Sequence, residues 1–280
     1  MSVTIGIDIG GSTTKIVGFV DETMMTPFFV KADDPIASLY GAFGKFLSQE
    51  NISIGDVDRV IMTGVGSSYL VKPIYGIPTG RVQEFIAIGL GGQYITKLDR
   101  VIVVSMGTGT ALIKADKKNI YHMGGSGIGG GTLLGLADKI LKIRDVNSLI
   151  NLAYDGDLSK VDLLVHDLSR QDIPGLPPDT TAANFGRIND MANASDLALG
   201  ILNLVFQTVG IIANFASKGG DIKDIVLTGN LTTIPQAKSI MSRLSDLYSI
   251  NFIIPEHSEY ATSVGAALAY KHDVPIEKIE

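Results

Sequence analysis

The chain has 280 residues, a formal net charge of −6, 45% hydrophobic and 19% charged residues, and no cysteine. That length suits one large domain or two modest ones. An acidic balance without a basic cluster argues against nucleic acid or an anionic membrane as partner, and the absence of cysteine excludes disulfides, iron–sulfur clusters and thiol chemistry.

In chain order, residues 3–9 and 14–20 read as strands joined by a glycine turn, with extended chain near 27–31. Residues 35–49 are a helix pattern in which Ile36, Leu39, Tyr40, Phe43 and Leu47 share a face. A short strand over 59–63 ends in Gly64, and residues 82–97 read as helix. Residues 101–105 are an apolar strand with a hairpin partner over 111–114, and residues 127–131 open a helix over 132–143. Residues 161–168 fit either a strand or a short helix, and 174–178 is a turn. A long helix covers 194–217, a strand 225–227, a helix 234–247, a strand 252–254 and a last helix 262–271. The uncharged run 197–216 is long enough to span a bilayer. However, Asn203, Gln207, Gly210 and Asn214 lay a small and polar stripe along one face, so a buried core helix is expected. No basic n-region precedes the first strand, and a cytoplasmic chain is expected.

Alternating strands and helices imply an α/β architecture. Two units start alike, "IGIDIGGSTTKIV" from Ile5 and "VIVVSMGTGTALI" from Val101. This places a boundary near residue 98.

The turns carry the chemistry. After the first strand, Gly10, Gly11, Ser12 and Thr13 expose main-chain and hydroxyl donors to an anion. Asp8 would repel phosphate unless a cation lies between them; Mg2+ held by a carboxylate and phosphate oxygens resolves that. Lys15 adds a positive charge. Taken alone, the stretch also fits an ordinary hairpin with Asp8 capping its turn. Gly107, Thr108, Gly109 and Thr110 repeat the device after the second apolar strand. In "GGSGIGGGTLLGL", Gly127, Gly129, Gly130 and Gly131 run into a helix, whose free N–H groups would face an anion. Thr228, Gly229 and Asn230 form a fourth strand-end turn suited to an adenine or ribose.

Two strand-turn-strand units with an early Asp and a late "TGN" resemble the actin/Hsp70/sugar-kinase superfamily. "GIDIGGSTTKIV", "VQEFIA", "MGTGTAL", "GGSGIGGGTLLGL", "LPPDTTAANFG" and "GAALAY" follow in the order and spacing of type II pantothenate kinases, over nearly the whole chain. The resemblance implies a two-lobed, duplicated RNase H-like fold with nucleotide in the cleft between the lobes. The lobes would be residues 1–98 and 99–280, with the last helix packing back on the first. It implies ATP and Mg2+ as cofactors, with the metal linked to Asp8, and pantothenate or a pantetheine-like analogue as acceptor. It further implies Glu84 as the base that accepts the acceptor's hydroxyl proton, and a homodimer with no nucleic-acid or membrane partner. From the residues alone, Glu84 better fits a solvated helix charge.

On the acceptor side the resemblance points to Arg81, Thr110, Ala111, His122 and Gly125. His122 stands where the family usually carries Arg, Ala111 where it carries Ser, and Ile86 where it carries Asp. Arg81 is a candidate source of the missing charge. A nucleotide-binding regulator without turnover and an N-acetylhexosamine kinase are the alternatives. Dehydratase activators of the same superfamily work through a cysteine-bound cluster, which a chain without cysteine cannot hold.

Overall fold

In the computed structural model, which describes residues 2–31, 34–117, 119–219, 222–272 and 274–279, the first apolar run folds back on itself. β1 (Val3–Ile9) pairs antiparallel with β2 (Thr13–Val20), from Val3 opposite Val20 to Ile9 opposite Thr14. β3 (Thr23–Met24) and β4 (Phe28–Lys31) both pair with β2. α1 (Pro35–Gln49) begins where the Asp34 carboxylate accepts from the Ala37 amide at 2.8 Å and Pro35 supplies a preset φ. It buries Leu39, Phe43 and Phe46 against the sheet. β5 (Val57–Thr63) runs parallel to β1, and β6 (Thr79–Arg81) parallel to β5.

α2 (Glu84–Thr96) leads to a meander of β7 (Arg100–Met106), β8 (Thr110–Asp116) and β9 (Asn119–Ser126). α3 (Gly130–Leu141) and α4 (Val146–Leu152) follow. β10 (Leu163–Leu164) passes directly into α5 (Val165–Leu168), so the ambiguous stretch is strand and then helix. β11 (Thr181–Ala183) pairs with β10, and α6 (Ala194–Lys218) crosses the second sheet. β12 (Asp224–Thr228) lies parallel to β7; after α7 (Pro235–Tyr248), β13 (Asn251–Ile253) lies parallel to β12. α8 (Ala261–Leu268) and β14 (Glu277–Ile279) return to the first sheet, where β14 pairs antiparallel with β6.

The two sheets repeat one plan. The order β6-β5-β1-β2-β4 and the order β13-β12-β7-β8-β9 match strand for strand, with the same directions. The duplication extends to a turn. Thr63-Gly64 ends β5 and Thr228-Gly229 ends β12, with φ of 85° and 90° at the glycines. In both, a hydroxyl three residues on, Ser67 or Thr232, donates to the glycine carbonyl at 2.7 Å. A positive φ of this size is a position for glycine.

Between the sheets lie α2 and α8, packed backbone to backbone. A Cβ on Gly91 would fall 1.8 Å from the Ala261 carbonyl oxygen, and one on Gly265 1.8 Å from that of Ala87. Ile88 of α2 packs with Val101, Val103 and Ile113 of the second sheet, while Val264 and Leu268 of α8 pack with Val17 and Phe19 of the first. α6 is long and apolar enough to cross a membrane by length and composition, but Leu202, Val205, Phe206 and Val209 sit fully in the second lobe's core.

One member of its polar stripe has a specific job. Asn203 donates to the fully buried Asp162 carboxylate at 2.8 Å. Asp162 also accepts from the Phe185 amide at 2.9 Å, the Thr181 hydroxyl at 3.1 Å and Asn184 at 3.4 Å. "TTAANFG" is therefore the wrapping of one buried carboxylate. Four donors satisfy a charge that would otherwise be costly to bury.

Candidate active site

The turns after β1, β7 and β12 meet in one cleft of about 340 Å³ between the lobes. Its wall includes Asp8, Gly10, Gly11, Ser12, Thr13 and Lys15 from the first lobe, and Gly107, Thr108, Gly109, Thr110, Ala111, Gly229 and Asn230 from the second. Glu84, the first residue of α2, completes it. Strand register explains the polar floor. Asp8 and Lys15 are opposite one another on β1 and β2, both buried. In each turn one amide is used to close the bend: Gly10 donates to Thr13 O at 3.0 Å and Gly107 to Gly109 O at 2.9 Å. Among the described residues, the amides of Gly11, Ser12, Thr108 and Gly109 have no partner. Two pairs of free N–H groups, one per lobe, thus border one cleft, an arrangement suited to phosphate. The Asn230 side-chain amide donates to the Thr13 hydroxyl at 3.4 Å, bridging the lobes.

The charges form one coupled group. Burial pushes the Asp8 carboxyl above its usual range, against the pull of Lys15. Burial pushes Lys15 down, opposed by Asp8, Glu259 and Glu84. Glu84 keeps access to solvent while lining the cleft; partial burial raises its pKa, the Asp8 charge raises it further and Lys15 opposes both. Desolvation leads in all three, as expected where charges share a concave site.

A divalent cation can be tested against the donors present. Among the described residues, no group of three His, Asp or Glu side chains could hold a metal. The protein therefore offers no complete cage, but Asp8 lies on the same wall as the free amides. One carboxylate facing a phosphate position fits Mg2+, which commonly takes one or two carboxylates, waters and phosphate oxygens.

The structure redistributes several expected residues. Gly129, Gly130 and Gly131 do not present free amides to the cleft: their N–H groups donate to Thr132 Oγ1 at 3.3 Å, Gly107 O at 2.9 Å and Thr108 O at 2.9 Å. The physical reason is that the start of α3 lies directly against the "GTG" turn, whose carbonyls cap it. The triple glycine braces that turn from behind, and Gly127 too lies off the cleft wall. Thr228 is fully buried and reaches Val104 O at 3.5 Å, leaving Gly229 and Asn230 to line the cleft. Arg81 lies outside the cleft wall as well. Its guanidinium donates to Ser67 O at 2.8 Å and Leu70 O at 3.2 Å and pairs with Glu277 at 3.0 Å.

His122 and Gly125 lie on β9, a strand not read from the sequence, and both fall outside the cleft wall, next to it rather than in it; His122 stacks on Phe85 with ring centroids 3.9 Å apart and planes 4° from parallel. Cleft residues missed in the sequence are Val65, Ile88, Ser126 and Thr262. The repeated pattern of "TG" with a hydroxyl three residues later was a signal for the turn that carries Val65. A larger cavity of about 530 Å³ lies between α6, α7 and residues 173–181, and none of the glycine turns reaches it.

Comparison with known proteins agrees with this architecture. The Fumble family model matches residues 97–269. A type II pantothenate kinase of Bacillus cereus (strain G9842) is 27% identical over 285 residues, covering 96% of this chain and 98% of the relative. One of Staphylococcus epidermidis (strain ATCC 35984) is 30% identical over 224 residues, 74% of this chain and 78% of the relative. Among solved structures, the activator of the 2-hydroxyisocaproyl-CoA dehydratase from Clostridium difficile with bound ADPNP superposes with a TM-score of 0.69 at 18% identity, covering 97% of this chain and 94% of that one. A ROK hexokinase from Thermus thermophilus gives 0.56 at 13% identity, covering 95% and 97%. These structural likenesses place the chain in the two-lobed actin-like ATPase fold.

Proposed function

This chain belongs to the Fumble family, and from that premise we propose that it is an ATP-dependent kinase that phosphorylates the primary hydroxyl of pantothenate, the opening step of coenzyme A synthesis, or of a close pantetheine-like analogue. The observation that carries the reading is the meeting of Glu84, Asp8 and two sets of free main-chain amides in one cleft.

The chemistry follows from the positions. Phosphoryl transfer asks for alignment, for charge stabilisation on the phosphate oxygens and for a nearby acceptor of the hydroxyl proton. The amides of Gly11 and Ser12 from one lobe, and of Thr108 and Gly109 from the other, hold the phosphate chain. Gly229 and Asn230 stand toward the nucleoside. The acceptor oxygen attacks the γ-phosphorus, the bond to the β-phosphate oxygen breaks, and the proton passes to the Glu84 carboxylate. Mg2+ bound at Asp8 would neutralise phosphate charge. Lys15 sits opposite Asp8 and balances the carboxylates around it. A homodimer in the cytoplasm fits the same reading. In its support, Phe215 of α6 is an exposed aromatic on a helix that buries Leu202, Val205, Phe206 and Val209 in the core, and light scattering reads the assembly state.

With Mg-ATP, the protein should release ADP only when an acceptor is present. Glu84→Gln should lower kcat by about 10²- to 10⁴-fold while the melting temperature holds or rises, because an enclosed carboxylate raised in pKa is removed. Acceptor-independent ADP release, or an unchanged kcat in Glu84→Gln, would sink the assignment of Glu84.

A further inference from the structure

Resting on that reading of the cleft, we propose that the acceptor end is built for a tail without charge, with the His122–Phe85 stack as its specificity-determining wall. Pantothenate carries a carboxylate at the end remote from its reacting hydroxyl. A site that selects such a group supplies a cation, best a forked and permanent one.

Lys15, Arg81 and Lys114 do not supply one. Lys15 is the one basic side chain on the described cleft wall, and it is buried opposite Asp8. Arg81 spends its guanidinium on two carbonyls and Glu277. Lys114 lies over the Tyr121 ring at 5.8 Å and faces away from His122, since adjacent positions on β8 and β9 alternate sides of the sheet.

What remains beside Glu84 is an aromatic stack and small apolar residues. Phe85 follows Glu84 directly and stacks face to face with His122. Ala111 and Gly125 are opposite one another on β8 and β9 and carry no polar side chain. Val65, 69% exposed, and Ala111 line the cleft itself. An imidazole edge offers an amide or hydroxyl one hydrogen bond, but it lacks the permanent charged fork that a guanidinium offers a carboxylate. A neutral tail lies on these faces without stripping water from a charge, whereas a carboxylate loses hydration and gains no fixed partner.

The experiment compares kcat/KM at pH 8 for pantothenate and for pantothenol, which replaces the carboxylate with a hydroxymethyl group. In the unmodified protein, pantothenol should be used at least as well as pantothenate. His122→Arg should move the ratio toward pantothenate by about tenfold. Because both acceptors are measured on one preparation, the ratio is insensitive to loss of folded protein. A preference of the unmodified protein for pantothenate beyond about threefold, or a ratio unmoved by His122→Arg, overturns this inference and leaves the kinase reading standing. No acceptor-dependent ADP with either compound overturns the kinase reading and this inference with it.

Discussion

Glu84 can act as a base only when ionised, and its surroundings work against that. Enclosure and the Asp8 charge raise its pKa above the ordinary glutamate value of 4.5, with Lys15 pulling the other way. The base is lost as pH falls through this raised value, so the acid limb of kcat/KM should sit above the ordinary glutamate range. Lys15→Met removes the opposing charge and should move that limb to higher pH, which a pH–rate profile reads directly. A limb that stays put would show that Lys15 does not communicate with the base. At this scale the sequence was informative where chemistry and local geometry coincide. Asp8 and Lys15 flank one glycine turn, so a hairpin alone brings them opposite each other. Arg81 was opaque for the converse reason: its partner Glu277 arrives on β14, a strand with no signal of its own.

The glycine-rich elements show how far composition reaches. It can say that amides are accessible, but not whose carbonyl takes them. The turn at 107–110 keeps two amides free because its own bend uses only one, whereas the glycines opening α3 are capped by that same turn. "TTAANFG" was legible as a family signature yet not as a structure, because its meaning lies in Asp162, upstream, and Asn203, on another helix. The small residues of α8, by contrast, let it pack backbone to backbone on α2. Gly265→Ala places a Cβ against the Ala87 carbonyl oxygen, where neither backbone can give way. It should cost about 3 kcal/mol or more, lowering the melting temperature by roughly 6 to 12 °C. An unaltered melting curve would mean that α2 and α8 slide freely.

For the whole molecule, duplication is the governing fact. The matching "GIDIGG" and "VSMGTG" units made the paired strand-turn-strand plan readable, while the short strands β6 and β14 were not, being three residues each and set by pairing alone. Since the described residues hold no complete metal cage, a chelator should leave the melting temperature of the free protein unchanged. It should abolish the stabilisation by ATP, which at a hundredfold excess over Kd amounts to about 2.7 kcal/mol. A chelator that destabilises the free protein would point to a structural metal instead.

The return of α8 and β14 to the first sheet also bears on how the molecule is made. The second sheet, from β7 to β13, is contiguous in the chain, whereas the first waits for Val264, Leu268 and the β14 edge before its packing is complete. During synthesis, domains settle as their residues emerge. The first sheet is thus completed only after α8 and β14 have been made, later than the strands of the second.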